Sequence, residues 1–249
     1  MNQPIRGILF DLGDTLVDFG DVNMTAMFKA GARRAYAYLR EMDQPLPSFT
    51  AYYLKQLFAV RWRYLVSRLT GREFNSLEII ADLSGRMGQS LTPAQHLALA
   101  WLWYEPLSES ATVEPGLPQT LARLADMGAK LGLISNTFVP GEVLDRHLEA
   151  EGLLDLLDIR VYSCNVRYRK PHKEIFRIAL GQMGLGAGET MFVGDALKAD
   201  IRGANRAGMV SVLKDPSGRH DRARIKPAYR VRKLAELPRI LAAHNGREQ

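Results

Sequence analysis

The N-terminal segment constrains the fold most, because a short apolar run there ends directly on a carboxylate. Residues 7–10, Gly-Ile-Leu-Phe, have the length and character of a strand that is buried on both faces. Asp11 follows at once, and Gly13 allows a sharp turn two residues later. Doubly wound α/β sheets bind ligands at the carboxyl ends of their strands, so a reactive group is expected at Asp11. The same residues also suit an ordinary polar turn, and the rest of the chain must decide between the two interpretations.

Composition and charge narrow the class of protein. The chain has 249 residues, of which 47% are hydrophobic and 24% charged, as in globular proteins with a full core. It contains no apolar run of the roughly 18 residues that a membrane span needs, and its N-terminus lacks a signal-peptide apolar region. A single cysteine, Cys164, fits a reducing compartment. We therefore predict a cytoplasmic protein with no membrane partner, whose oligomeric state (monomer or homodimer) is left open.

The net charge of +6 needs a separate interpretation, since basic proteins often bind nucleic acids. Much of the excess lies in residues 214–233, without aromatic interleaving and without a nucleic-acid motif. A solvated loop and an exposed strand account for this cluster, so no specific nucleic-acid partner is predicted.

Two regions of different pattern follow the first strand. Residues 20–112 show helical periodicity and no convincing strand. The last helix of this region is predicted to begin with a capping box at Thr92 and to end before Pro106. Strands and helices then alternate, which is typical of a parallel sheet. The prediction is an α/β fold, a doubly wound parallel sheet from residues 1–19 and 113–249 with an inserted α-helical cap domain at 20–112.

Polar side chains follow the predicted strands at the edge where such sheets bind ligands. The carboxyl ends of parallel strands meet at one edge, so these side chains are expected to converge. Carboxylate oxygens suit Mg²⁺, while a lysine with hydroxyl and amide donors suits the oxygens of a phosphoryl group. An aspartate in this position can attack phosphorus and form an aspartyl-phosphate. The set predicts Mg²⁺ as cofactor and a small phosphorylated substrate; its members are Asp11, Ser135, Asn136, Lys170, Asp195 and Asp200.

Four stretches of the chain resemble, in order, the four motifs of the haloacid dehalogenase-like (HAD) hydrolase superfamily. The resemblance covers residues 5–243, and the inserted helices resemble the small α-helical cap of the first type in that family. It implies a Rossmann-like core and a hydrolase of phosphoric monoesters. The four stretches are Phe-Asp-Leu-Gly-Asp-Thr-Leu at 10–16, Leu-Ile-Ser-Asn-Thr at 133–137, Arg-Lys-Pro-His-Lys-Glu-Ile-Phe at 169–176, and Val193-Gly194-Asp195 with Asp200.

The resemblance implies a metal-binding role for four residues. Asp11 would be both the nucleophile and a ligand of Mg²⁺, and the main-chain carbonyl of Gly13 would be a second ligand. Asp195 would bind the ion directly, and Asp200 would act through a water.

It also implies how the substrate is held. Ser135 and Asn136 would bind the phosphoryl group, and Lys170 would neutralise the charge of that group and of the nucleophile. The implied catalytic residues are therefore Asp11, Ser135 and Lys170.

Gly13 departs from the family pattern, because phosphatases of the family usually carry an aspartate there as general acid and base. Such a group is typically worth about 10²–10⁴-fold in rate. Asp14 is adjacent, although one step along the chain points a side chain in another direction. Three interpretations stay open: a phosphatase with a weakened or relocated acid, a haloacid dehalogenase-type hydrolase, or a catalytically weak scaffold with a binding or regulatory role. Cleavage of a C–P bond would need an imine-forming lysine, for which the inserted helices offer Lys29 and Lys55.

Overall fold

The computed structural model describes residues 3–221 and 223–246. Within these ranges the strands are β1 (Gly7–Phe10), β2 (Val17–Asp18), β3 (Thr112–Val113), β4 (Lys130–Ser135), β5 (Ile159–Tyr162), β6 (Thr190–Gly194), β7 (Val210–Lys214) and β8 (Tyr229–Val231). The helices are α1 (Met24–Glu41), α2 (Phe49–Thr70), α3 (Ser76–Arg86), α4 (Pro93–Ser110), α5 (Leu117–Asp126), α6 (Gly141–Ala150), α7 (Ser163–Val166), α8 (Lys173–Met183), α9 (Arg202–Ala207) and α10 (Leu237–His244). A π-helical turn at Leu197–Ile201 precedes α9.

Six parallel strands form the central sheet in the order β5-β4-β1-β6-β7-β8. β1 lies between β4 and β6, so the strand order reverses there and leaves a crevice at the carboxyl ends. Phe10 is in register with Leu133 of β4 and with Val193 of β6. The residues that follow these strands therefore leave the sheet at the same level. The predicted doubly wound α/β fold is confirmed.

The core lies on both faces of the sheet, which explains why β1 is apolar throughout. Ile8 and Phe10 belong to one buried cluster and Leu9 to the other, because successive side chains of a strand alternate between its faces. Helices α5, α6 and α10 contribute to the first cluster, and α8 and α9 to the second. Packing from both sides fixes β1, and with it the position of the residue that follows.

Helices α1–α4 are inserted between β2 and β3, two short strands that pair antiparallel and that the sequence pattern did not indicate. Thr92 and Gln95 form the expected capping box at the start of α4. The predicted end before Pro106 is wrong, since α4 continues to Ser110 with this proline buried inside it. Packing of the surrounding side chains outweighs the cost of about 3 kcal/mol of an interior proline.

The β2–β3 pair lies beside the predicted limits of the insertion, which stay a prediction. None of the helices in the described ranges is long and apolar enough to cross a membrane.

Candidate functional site

Three carboxylates converge at the carboxyl end of the sheet. Asp11 follows β1, Asp195 follows β6, and Asp200 lies in the π-helical turn beyond it. One carboxylate oxygen from each of the three residues lies within 4.8 Å of the other two. Asp200 is fully buried and accepts a hydrogen bond of 2.9 Å from the backbone N–H of Ala196. A glycine is required at Gly194, because an added Cβ would lie 2.5 Å from a carboxylate oxygen of Asp200.

Lys170 supplies positive charge to this cluster. Its ammonium lies 2.6 Å from a carboxylate oxygen of Asp11 and 2.8 Å from one of Asp200, and it donates to the carbonyl of Ile134 at 2.8 Å. Asn136 holds the backbone of Lys170 from both sides: its side chain accepts from the N–H at 2.7 Å and donates to the C=O at 3.0 Å. Asn136, predicted to bind substrate, thus also positions the lysine.

Negative charge exceeds positive charge in the cluster. Burial, together with the carboxylates of Asp200 and Asp195, raises the pKa of Asp11, although Lys170 opposes this shift. Burial, and then Asp200, raise the pKa of Asp195 to about 6. Burial by itself would lower the pKa of Lys170, but Asp11 and Asp200 raise it above its ordinary value. The lysine therefore stays charged, and a further cation would favour the ionised form of the carboxylates.

The cluster borders a cavity of about 410 Å³ that extends toward the inserted helices. Ser135 lines it together with Asp11 and Lys170, and its role in binding substrate stays a prediction. Tyr64 and Tyr104, from α2 and α4, line it on the side of the insertion. The cavity is therefore enclosed by the sheet edge and by the inserted helices together.

Gly13 and Asp14 have different positions in the turn after β1. Gly13 lines the cavity, whereas Asp14 is exposed and does not belong to the lining. Asp14 adopts a left-handed backbone conformation with φ of 57°, and its N–H donates to the carbonyl of Val17 at 2.7 Å. Asp14 is thus a turn residue outside the cavity lining, although its charge contributes to the raised pKa of Asp195.

A buried ion pair between Arg169 and Glu73 links the inserted helices to the loop that carries Lys170. Arg169 lines the cavity, and Glu73 lies in the loop between α2 and α3 with a fully buried side chain. Glu73 also accepts from the hydroxyls of Ser67 at 2.9 Å and of Ser163 at 3.2 Å. The sequence did not indicate this pair, because a glutamate between two helices is usually solvated and nothing local marks a partner 96 residues away.

Glu73→Gln is expected to lower the free energy of unfolding by about 3 kcal/mol, since it leaves the largely buried guanidinium of Arg169 without its counter-charge. For a chain of this size, the melting temperature should fall by about 6–12 °C. The matched control is Glu78→Gln, which breaks the exposed pair between Glu78 and Arg167 and should cost no more than about 1 kcal/mol. Equal losses for the two variants in thermal unfolding would refute the importance of the buried pair.

A doubly wound sheet with carboxylates and a lysine at its reversal point defines the general class, an α/β enzyme with its site at the strand ends. More specifically, the sequence matches the haloacid dehalogenase-like hydrolase family over residues 5–208, and the chain belongs to that family of hydrolases. This confirms the family that the four motifs indicated.

Two relatives illustrate what the chain is similar to. A ribulose-1,5-bisphosphate 5-phosphatase of Halopiger xanaduensis is 29% identical over 86% of this chain and 86% of its own length. A phosphoglycolate phosphatase of Yersinia pseudotuberculosis is 30% identical over 83% of this chain and 79% of its own.

Solved structures share the fold. A 2-haloacid dehalogenase from Pseudomonas syringae superposes with a TM-score of 0.64 at 24% identity, covering 96% of this chain and 99% of that one. A HAD phosphatase from Thermococcus onnurineus gives a TM-score of 0.61, also at 24% identity, with 95% and 98% covered. At this level of identity the likeness concerns the fold alone.

Proposed function

We propose that this hydrolase is a Mg²⁺-dependent phosphatase, which cleaves a small phosphoric monoester through an aspartyl-phosphate on Asp11. The observation that carries the proposal is the buried cluster in which Lys170 bridges Asp11 and Asp200 while Asp195 lies within the same 4.8 Å group of oxygens. Carboxylates alone would repel a phosphoryl dianion. The cluster can therefore bind a phosphoryl group only if positive charge is added to that of Lys170. Relatives named as phosphatases support this class of reaction.

The residues present fit a magnesium ion. Asp11, Asp195 and the main-chain carbonyl of Gly13 would hold it, with Asp200 acting through a water, and Mg²⁺ prefers such an all-oxygen donor set. Burial, and then the neighbouring carboxylate of Asp200, raise the pKa of Asp195, and a bound cation would oppose both effects. When bound, the ion would screen the nucleophile from the phosphoryl oxygens and stabilise the charge of the transition state.

The chain's own residues account for the chemical steps. A carboxylate oxygen of Asp11 forms a bond to phosphorus while the bond from phosphorus to the ester oxygen breaks, and its electron pair goes to the leaving group. Lys170 offsets charge on the transferred group, and the hydroxyl of Ser135 donates to one of its oxygens. Asn136 keeps Lys170 in place through the two backbone hydrogen bonds. Water then hydrolyses the aspartyl-phosphate, which releases inorganic phosphate and restores the carboxylate.

Removal of divalent metal with a chelator should abolish turnover of phenyl phosphate, and added Mg²⁺ should restore it. In Asp200→Asn, the Mg²⁺ concentration for half-maximal turnover should rise about 10–100-fold, as is typical when groups that orient metal ligands are removed. Asp126→Asn is the matched control, because this exposed aspartate at the end of α5 lies outside the carboxylate cluster. Full turnover without divalent metal, or the same shift in both variants, would contradict the magnesium site.

A haloacid dehalogenase is the second candidate, because Gly13 is compatible with a displacement at carbon that needs no general acid. The carboxylates of Asp195 and Asp200 favour the phosphatase, since the dehalogenase reaction requires no metal-binding acid pair. Halide release from a 2-haloacid in the presence of a chelator, absent in Asp11→Asn, would establish the dehalogenase instead. Absence of both activities would favour a binding role.

A further inference from the structure

The cavity of about 410 Å³ that borders Asp11 is called the catalytic cavity below. An apolar chamber of about 100 Å³, which lies among the inserted helices, adjoins it. All four inserted helices and the loop after β4 contribute to its wall. The chamber and the catalytic cavity have several lining residues in common; these are Met24, Tyr104, Leu107, Phe138 and Val139. A substrate whose phosphoryl group lies at Asp11 would therefore direct its organic group toward this chamber.

The chamber's wall selects for uncharged, apolar groups. Phe28, Val60, Ile79 and Trp103 are among its lining residues, and no residue of that lining within the described ranges carries a charge. An apolar cavity of about 150 Å³ in another protein binds benzene, so a space of this order suits one small ring that partly remains in the larger cavity.

Among the described residues that line the catalytic cavity, each cation is already paired with a carboxylate. Among its lining residues in the described part of the chain, the cations are Lys170 and Arg169. Lys170 is paired with Asp11 and Asp200, and Arg169 with the buried Glu73. A carboxylate or second phosphate on the substrate would thus be buried without a counter-charge, which is costly.

Among the described residues that line this cavity, no carboxyl group is free to protonate the leaving group. Its acidic side chains, within the described ranges, are Asp11 and Asp200, and both contact Lys170. Burial raises the pKa of Tyr104, which makes its hydroxyl a weaker acid. Without a carboxyl group to protonate it, a leaving group that is stable as an anion is favoured. An aryloxide is such a group, because its conjugate acid has a pKa of about 10, as tyrosine does. An alkoxide is not, since its conjugate acid is about as weak an acid as water.

We propose that the substrate is an aryl phosphate whose single aromatic ring is uncharged and enters the apolar chamber. This inference rests on the proposed phosphatase function and narrows its substrate class. Asp11 displaces the aryloxide, which keeps the electron pair of the broken P–O bond and takes its proton from solvent; water then releases phosphate. Ribulose bisphosphate and phosphoglycolate, for which the two relatives are named, each carry a second anionic group. We therefore expect this protein to hydrolyse both compounds poorly.

The first test compares three substrates in wild-type protein with Mg²⁺: 4-methylphenyl, 4-carboxyphenyl and cyclohexylmethyl phosphate. We expect kcat/KM to be about tenfold or more higher for the methylphenyl than for the carboxyphenyl ester, the scale on which pocket contacts discriminate. The alkyl ester should be slower still, by about 10²-fold or more, because it needs an acid. Equal kcat/KM for the methylphenyl and carboxyphenyl esters would overturn the inference.

The second test fills the chamber. Val60 lines the chamber but not the catalytic cavity, so Val60→Phe should lower kcat/KM for 4-methylphenyl phosphate about tenfold, mainly through KM. Acetyl phosphate, which has no ring and a good leaving group, should be hydrolysed as by the wild type. Val66→Phe is the matched control, on the same helix but exposed and outside the chamber lining.

The outcomes separate the two proposals. Equal losses on acetyl and methylphenyl phosphate in Val60→Phe, or no loss on either, would overturn the aryl assignment. If Asp11-dependent hydrolysis of acetyl phosphate persisted with no preference for the uncharged ring, the phosphatase would stand and the aryl assignment would fail. If none of these compounds, acetyl phosphate included, were hydrolysed in a way that depends on Asp11, the proposed phosphatase itself would be overturned.

Discussion

Asp11→Asn is expected to reduce turnover of an aryl phosphate by about 10⁴-fold or more, the scale on which the loss of a nucleophile acts. An amide oxygen at this position does not attack phosphorus, and the other carboxylates of the cluster do not take over. Asp200 is fully buried and bound by Ala196 and Lys170. The loss should therefore appear in kcat, with no detectable phosphoenzyme after acid quenching.

The variant should remain folded, which makes the measurement interpretable. The substitution preserves the shape of Asp11 and removes one charge from a cluster where negative charge is in excess. Lys170 keeps its contact with Asp200 at 2.8 Å. We expect a melting temperature close to that of the wild type. Turnover within tenfold of the wild type by such a folded variant would refute Asp11 as the nucleophile.

Gly13→Asp is expected to raise turnover of an alkyl phosphate by about 10²-fold, the lower end of what general acid–base catalysis supplies. The new carboxyl group would protonate the departing alkoxide and later activate water against the aspartyl-phosphate. Space for it exists, because an added Cβ at Gly13 lies 3.5 Å from the ring of Phe19, an ordinary contact distance. Aryl phosphates should gain less in the first step, since their leaving group needs no proton.

Rapid acid quenching checks the same prediction through the intermediate. Wild-type protein should accumulate phosphoenzyme during turnover, because no base activates water for its hydrolysis, and Gly13→Asp should deplete it. Gly13→Asn is the matched control, with nearly the same shape and no acid. An equal gain in both variants, or no phosphoenzyme in actively turning-over wild type, would refute a missing acid–base group as the cause of slow hydrolysis.

The convergence of Asp11, Asp195 and Asp200 followed from the sequence because each comes just after a strand or shortly beyond one. Parallel pairing brings such residues to one edge whatever their separation along the chain. The contact of Asn136 with the backbone of Lys170 was not foreseeable, since it depends on the path of a loop 34 residues away. The end of α4 was mispredicted for a related reason: the burial of Pro106 outweighs its local preference.

The doubly wound fold, the family and the identity of the polar residues at the strand ends were all predictable from the sequence. These depend on local patterns, namely buried apolar runs, helix caps and the residue types that follow each strand. Only the folded structure shows that Asp14 lies outside the cavity lining, that Glu73 neutralises Arg169, and that an apolar chamber adjoins the site. These features depend on contacts between side chains far apart in sequence, which only the packing of the inserted helices against the sheet brings together.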